Sequence, residues 1–199
     1  MPSASPRKRY IHVTITTKSI LSLILLYFAS CTCSATTTLK TEESVDLSRY
    51  LGRWYQIALV PNKFQKICVR GTVAHYSARS DGRLDVTNIC EDKDGTVIRA
   101  TGVARINNDY KNTARLEVSF APEWISWLSF VWGDYWILDI DSDYQAVLVG
   151  SPDLKYLWIL ARGSKMKKTT FQQFLQLAEE NGYPVESLVM ESGAGFLDE

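Results

Sequence analysis

From residue 53 onward, apolar and polar residues alternate in short runs that predict β-strands. In residues 113–120 the odd positions are Thr, Arg, Glu and Ser, and the even positions are Ala114, Leu116, Val118 and Phe120. Leu84 and Val86 alternate with polar neighbours in the same way. A period of two gives each strand one dry and one wet face, which is typical of antiparallel sheets.

Turn signals separate these runs. Asp81-Gly82 and Asp94-Gly95 predict tight hairpins, and residues 107–112, 139–144 and 150–156 are further turns. The spacing predicts an antiparallel meander, either a sandwich or a barrel. One inward set is mostly small, comprising Ile98, Ala100, Gly102, Ala104 and Ile106. A packed sandwich needs larger residues there, so small ones favour a cup with a cavity, unless a large residue opposite fills the gap.

Residues 169–184 predict one helix after the strands. Its apolar stripe at i, i+3, i+4 and i+7 consists of Phe171, Phe174, Leu175 and Ala178. Thr169 and Gln172 form a capping-box pattern, and Gly182 and Pro184 end the helix. Such a helix must dock on the outside of the sheet, and residues 187–190 predict one more short strand.

The N-terminus predicts an export signal. Four basic residues and no acidic ones flank or precede an apolar run at 19–30, which is shorter than the roughly 20 residues of a membrane span. Small residues before Cys31 resemble a lipobox, so Cys31 is the predicted lipidation site. Ordinary cleavage after Ala35, or an uncleaved anchor, remain alternatives. The predicted organisation is a signal peptide (1–30), a tether (31–45), one domain (46–191) and a C-terminal tail (192–199).

Charge and cysteine content narrow the function. Without residues 1–30 the chain keeps 18 Lys and Arg against 22 Asp and Glu, so it has no basic stripe for nucleic acid.

In an oxidising compartment Cys68 and Cys90 are the natural disulfide pair, with two buried free thiols as the alternative. The strand register across Asp81-Gly82 does not place them opposite each other, so pairing requires a bulge or an irregular loop. His75 is the one histidine left, which argues against a metal site or a catalytic triad, and no cofactor is predicted.

Three motifs carry a family resemblance. Gly52-x-Trp54 at the start of the first strand, DSDYQ at 141–145 and Arg162 at the end of the last strand resemble the three lipocalin motifs, in the same order. The segments YLGRWYQIA and GDYWILDIDSDYQAVLVGSPDLKYLWILAR are similar to bacterial outer-membrane lipocalins, a branch that includes apolipoprotein D and the plant temperature-induced lipocalins. The resemblance covers roughly residues 45–190.

This resemblance implies an all-β fold, an eight-stranded antiparallel up-and-down barrel (calyx) with one C-terminal helix packed outside. It implies that Trp54 lies at the closed end with the Arg162 guanidinium across its ring, both as structural residues. It also implies a lipoprotein of the outer membrane, lipid-anchored, that binds a fatty acid or lysophospholipid; a periplasmic or secreted soluble protein is the alternative location.

An eight-stranded barrel can hold one small ligand. The predicted ligand-binding residues, taken from the inward alternation, are Tyr76, Leu84, Ala100, Leu116, Val118, Phe120, Trp136 and Leu138. For each, plain core packing is the alternative. The aromatic segment 120–136 has three possible roles: contact with a membrane, a subunit contact such as a homodimer, or a cover over the barrel mouth.

The predicted function is therefore lipid storage, transport or scavenging in the cell envelope, without catalysis. The alternatives are a structural or interaction lipoprotein with an incidental cavity, and a lipid-modifying enzyme.

Overall fold

The structure is a computed structural model that describes residues 39–197. The predicted signal peptide and Cys31 lie outside these residues. Eight long strands follow one another along the chain: β1 (Gly52–Leu59), β2 (Arg70–Ala78), β3 (Leu84–Glu91), β4 (Val97–Ile106), β5 (Arg115–Ser119), β6 (Gly133–Ile140), β7 (Ala146–Gly150) and β8 (Leu157–Ala161).

Each of these strands pairs antiparallel with the next, and β1 also pairs with β8, which closes the sheet into a barrel. The prediction of an eight-stranded up-and-down barrel is confirmed. The sheet turns sharply in β1, where the register with β8 shifts between Gln56 and Ala58. A short β10 (Val189–Met190) adds to the second half of β1, so the strand predicted within 187–190 forms.

Two α-helices of the described residues accompany the barrel. The short α1 (Leu47–Tyr50) precedes β1, and Asp46 caps it by accepting a hydrogen bond from the backbone N–H of Ser48. The longer α2 (Lys168–Glu180) follows β8. The capping-box prediction is wrong: Lys167 is the N-cap and uses no side-chain hydrogen bond, because the helix begins before Thr169. No helix within residues 39–197 is long and apolar enough to cross a membrane.

The apolar residues form two clusters on opposite sides of the barrel wall. One lies inside the barrel and includes Tyr50, Trp54 and Leu116. The other lies outside, where Phe171 and Phe174 of α2 pack on Ile159 and its neighbours on the outer face of β6, β7 and β8. These strands are therefore apolar on both faces, which explains the fully buried run of β7.

Residues on either side of the predicted domain also contact the barrel. Residues 39–45, predicted as tether, lie against it: the Glu42 N–H donates to the Ile137 carbonyl and Val45 is buried. In the predicted tail, β11 (Gly195–Phe196) pairs in parallel with β9 (Lys165–Met166). Apolar side chains explain both contacts, because Val45 and Phe196 find partners in the two clusters.

The predicted disulfide forms between Cys68 and Cys90, with their Cα atoms 5.5 Å apart. The β2–β3 register is irregular between Arg70 and Val73, which is the irregularity that this pairing required. The bond ties the β1–β2 loop to the end of β3.

Candidate functional site: the barrel interior

The closed end of the barrel is built around Trp54. This side chain is fully buried, and its indole N–H donates to the Tyr50 carbonyl, 2.8 Å away. The Arg162 guanidinium lies 3.7 Å from the centre of the Trp54 ring, the cation–π geometry that the family resemblance implies. Arg162 also donates to the backbone carbonyls of Arg49, Leu51, Arg53 and Tyr144. These contacts fasten α1, β1 and the β6–β7 turn together, so the pair is structural.

Gly52 makes this arrangement possible. Its φ of +93° is a backbone conformation that residues with a Cβ rarely adopt, and a Cβ there would lie 3.4 Å from the Arg162 guanidinium. The positive φ, which provides the turn into β1, is therefore what requires glycine here, and a Cβ would just touch Arg162.

Three buried tyrosines cover this floor on the inner side. The Tyr135 hydroxyl lies 2.7 Å from that of Tyr50 and 2.8 Å from that of Tyr76. Desolvation raises the pKa of all three phenols well above the ordinary value. The hydroxyls therefore remain protonated and satisfy one another in an otherwise apolar core.

The aromatic rings continue from the floor to the mouth of the barrel. Successive ring centres lie 5.0 to 6.5 Å apart along the column Trp54, Tyr50, Tyr76, Tyr135, Trp158, Tyr156 and Phe64. At the upper end Gln65 of the β1–β2 loop accepts a hydrogen bond from the Trp158 indole, 2.7 Å away. Its amide nitrogen donates to the side chain of Gln56 at the same distance. One side of the interior is thus filled with rings.

The opposite wall of the barrel is lined by small side chains. Ala74, Asn88 and Ala100 lie side by side on β2, β3 and β4, at positions that alternate with the outward residues. Ala100 is exposed although it faces inward, so solvent reaches the inner surface of β4. The side-chain oxygen of Asn88 is buried without a partner among the described residues.

Not every small residue leaves space. A Cβ on Gly102 would lie 2.7 Å from the Phe120 ring and 2.5 Å from the Ser119 carbonyl oxygen, so Phe120 fills the gap there. Phe120 itself is 45% exposed. The open part of the interior therefore begins above Gly102, at the level of Ala100.

The predicted ligand-binding residues separate into three groups. Tyr76, Leu84 and Leu116 are buried in the inner cluster, and Val118 packs against it. Ala100 and Phe120 lie at the open upper wall. The prediction is wrong for Trp136 and Leu138, which face outward and pack in the cluster beneath α2. In β6 the inward residues are Tyr135 and Ile137. Both faces of that strand are apolar, so its sequence lacks the polar–apolar alternation that shows which side chains point inward.

The interior residues that the sequence interpretation missed include Tyr50, Tyr135, Asn88 and Trp158. A signal existed for Asn88, since it shares even numbering with Leu84 and Val86 in one strand. For Trp158 the alternation was hidden, because β8, like β6, is buried on both sides.

A second concave surface lies outside the barrel, on β1 to β4. This groove has a volume of about 380 Å³ and is lined by Arg53, Tyr55, Val73, His75, Thr87, Ile89 and Arg99. His75 is thus an exposed outer residue. Within residues 39–197 no three His, Cys, Asp or Glu side chains come together as a metal site would require.

A closed eight-stranded barrel with a capped floor, an open upper wall and a helix on its outside defines the calyx class of β-barrel folds. The chain belongs to the lipocalin family: residues 45–192 match the family model of the Lipocalin-like domain.

Two curated relatives and one solved structure support this family assignment. The chain is 37% identical over 149 residues to temperature-induced lipocalin-1 of Arabidopsis thaliana, covering 73% of this chain and 78% of that protein. It is 32% identical over 174 residues to the outer membrane lipoprotein Blc of Citrobacter freundii, covering 85% and 93%. The fold is also similar to that of insecticyanin from Manduca sexta, with a TM-score of 0.61 at 17% identity over 80% of this chain and 90% of that one.

Proposed function

We propose that this lipocalin binds a single-chain lipid, a fatty acid or lysophospholipid, in the upper half of its barrel. The observation that carries the proposal is the exposure of Ala100, an inward residue in the middle of β4. A core residue at this position would be covered by its neighbours, whereas a residue of a cavity wall is accessible from the mouth.

The two walls provide the chemistry for such a ligand. The upper rings of the aromatic column, Trp158, Tyr156 and Phe64, are not buried and offer apolar surface to an acyl chain. Each methylene removed from water contributes about 0.8 kcal/mol. The small residues opposite leave space beside the rings. Asn88 supplies one buried amide to a polar group, and the charged head group remains near the mouth, in water. Because most of the binding surface is apolar, we expect loose selectivity among chain types.

The proposed location is the outer membrane, through lipidation at Cys31. The Blc relative is by its name an outer membrane lipoprotein, which supports the proposal. The test is metabolic labelling of the full chain with palmitate: label in the membrane fraction that disappears in Cys31→Ser supports the anchor. An unlabelled protein that begins at residue 36 would instead support cleavage after Ala35.

The binding test compares two tryptophan substitutions on neighbouring positions of β4. Ala100→Trp fills the open inner wall, while the matched control Thr101→Trp adds the same side chain on the exposed outer face. Both are made in the protein from residue 36 onward, which retains the whole compact unit from Leu39 to Glu199. Native mass spectrometry with added palmitate and lysophosphatidylcholine gives the bound fraction.

We expect one lipid per barrel in the parent and in Thr101→Trp, and at least tenfold weaker binding in Ala100→Trp. Equal binding by all three proteins would place the ligand elsewhere. In that case Arg99→Ala tests whether the lipid binds in the outer groove, since loss of binding in this variant would locate it there. A parent protein that takes up neither lipid would overturn the proposal in favour of a structural envelope lipoprotein.

A further inference from the structure

The loop between β5 and β6, residues 120–132, presents three large aromatic side chains to solvent. Trp124 and Trp127 are each 78% exposed and Phe130 is 80% exposed. No charged residue occurs from Trp124 to Trp132. These rings are too exposed for the segment to serve mainly as a cover of the barrel mouth, so that alternative does not explain them.

The loop is held in place, which distinguishes it from a collapsed apolar segment. It contains two 3₁₀ turns, Glu123–Ile125 and Ser129–Val131, and the Trp132 indole donates to the Ser126 carbonyl at 2.7 Å. At its end the Arg105 guanidinium lies 3.8 Å from the centre of the Trp132 ring. At its start, Glu123 pairs with Arg79 and Arg83 of the β2–β3 turn, at 2.9 and 3.2 Å.

We infer that Trp124, Trp127 and Phe130 form a docking tip that inserts into the interfacial region of a lipid bilayer. Tryptophan suits this region because its ring is apolar while its indole N–H remains hydrogen-bonded at the level of the head groups. The uncharged run between the rings removes the cost of burying an ion.

The size of the exposed surface favours a bilayer over a second copy of the chain. The three rings expose together about 500 Å². A stable dimer buries about 800 Å² on each partner, whereas insertion into a bilayer interface has no such minimum.

The proposed anchor at Cys31 would leave the tip within reach of a membrane. The described chain enters beside β5 and β6, where the Arg115 Nε lies 3.3 Å from the Thr41 hydroxyl. The aromatic loop leaves β5 only four residues later, about 13 Å along the strand. Cys31 lies eight residues before Leu39 in the sequence. Eight fully extended residues reach at most about 28 Å, which sets the largest distance between a lipid on Cys31 and Leu39. This step alone rests on the anchor of the proposed function; the tip itself does not require it.

The test uses the protein from residue 36 onward, which lacks Cys31, so its outcome does not depend on lipidation. Flotation with phosphatidylcholine vesicles measures binding, and quenching of tryptophan emission by bromine-labelled lipids measures insertion. The variant W124A/W127A/F130A removes the tip. The control V69A/V97A removes two other exposed apolar side chains, which are 52% and 60% exposed.

We expect the parent and the control to float with the vesicles and to show bromine quenching, and the tip variant to bind at least tenfold more weakly. A parent that does not float, or a tip variant that floats equally well, would overturn the inference. Sedimentation of the same samples identifies the rival: a parent dimer that the tip variant converts to monomer, without vesicle binding, would make the tip a subunit contact. Lipid uptake in solution by all three proteins shows independently whether the barrel site functions.

Discussion

The two ends of the barrel interior are built in opposite ways. At the closed end Trp54, Tyr50 and Leu116 are fully buried, the Trp54 indole donates to the Tyr50 carbonyl, and the Tyr50 hydroxyl is bonded to that of Tyr135. At the upper wall Ala100 is exposed, and the Asn88 side-chain oxygen lacks a partner among the described residues. The floor therefore supplies stability, and the wall supplies space. The comparison teaches that one barrel can separate these tasks along its axis, and substitutions at either end should affect one property and spare the other.

The largest effect on stability should come from the floor. Trp54→Ala removes a fully buried ring, its hydrogen bond to Tyr50 and the surface on which Arg162 lies, and we expect a loss of about 4 kcal/mol in the free energy of unfolding. Urea denaturation measures this loss. Trp124→Ala, at a ring that is 78% exposed, should change the free energy of unfolding by less than about 0.5 kcal/mol. Similar losses for the two variants would mean that the floor is not the stabilising end.

The second largest effect on stability should come from the disulfide, which ties the β1–β2 loop at the mouth to the end of β3. Cys68 and Cys90 are 22 residues apart in sequence, and removing a cross-link of this length costs about 3 kcal/mol in the chain-entropy account. C68S/C90S should therefore unfold at a lower urea concentration. We also expect faster hydrogen exchange in the β1–β2 loop, where the constraint is lost. An unchanged unfolding midpoint would show that the cross-link does not stabilise the mouth.

A smaller effect is expected within the tyrosine cluster. Tyr135→Phe leaves the hydroxyls of Tyr50 and Tyr76 without their common partner, and we expect a loss of about 1 to 2 kcal/mol at neutral pH by calorimetry. Tyr110→Phe, at a 44% exposed ring, is the matched control and should be near neutral. An unchanged melting temperature in Tyr135→Phe would show that the hydroxyls find other partners.

The same cluster predicts a pH dependence. Because burial raises the pKa of these phenols above 10, the folded protein holds their protons more tightly than the unfolded chain does. Their contribution to stability is complete below pH 10 and is lost as the pH rises above it. Phenolate absorbance against pH should show these tyrosines titrating only together with the loss of circular dichroism. Full titration of all the tyrosines in a native spectrum would contradict this.

The smallest effect on stability should come from the wall. Ala100→Trp adds a ring where space is open, so the free energy of unfolding should change by less than about 1 kcal/mol while lipid binding falls at least tenfold. Denaturation and lipid titration on one sample measure both. A large destabilisation would mean that the wall is already packed, and the contrast between the two ends would fail.

Much of the fold could be predicted from the sequence because its signals are local. Asp81-Gly82 and Asp94-Gly95 fix hairpins through backbone conformations that few residues adopt, and both glycines have a positive φ of 80°. In β3 and β5, one face meets water, so alternation identified Leu84, Leu116 and Val118 as inward. Where α2 covers the outer face, both faces are apolar, and the same rule failed for Trp136 and Leu138.

The sequence by itself determined the strand order, the turns, the helix stripe and the identity of the disulfide pair, since each depends on neighbouring residues or on a short list of candidates. Only the tertiary structure decided which residues of β6 and β8 line the interior, that three tyrosine hydroxyls meet at the floor, and that Phe120 fills the space at Gly102 while the space at Ala100 stays open. These contacts join residues far apart in the chain. Their geometry depends on the twist and register of the whole closed sheet, which no local pattern contains.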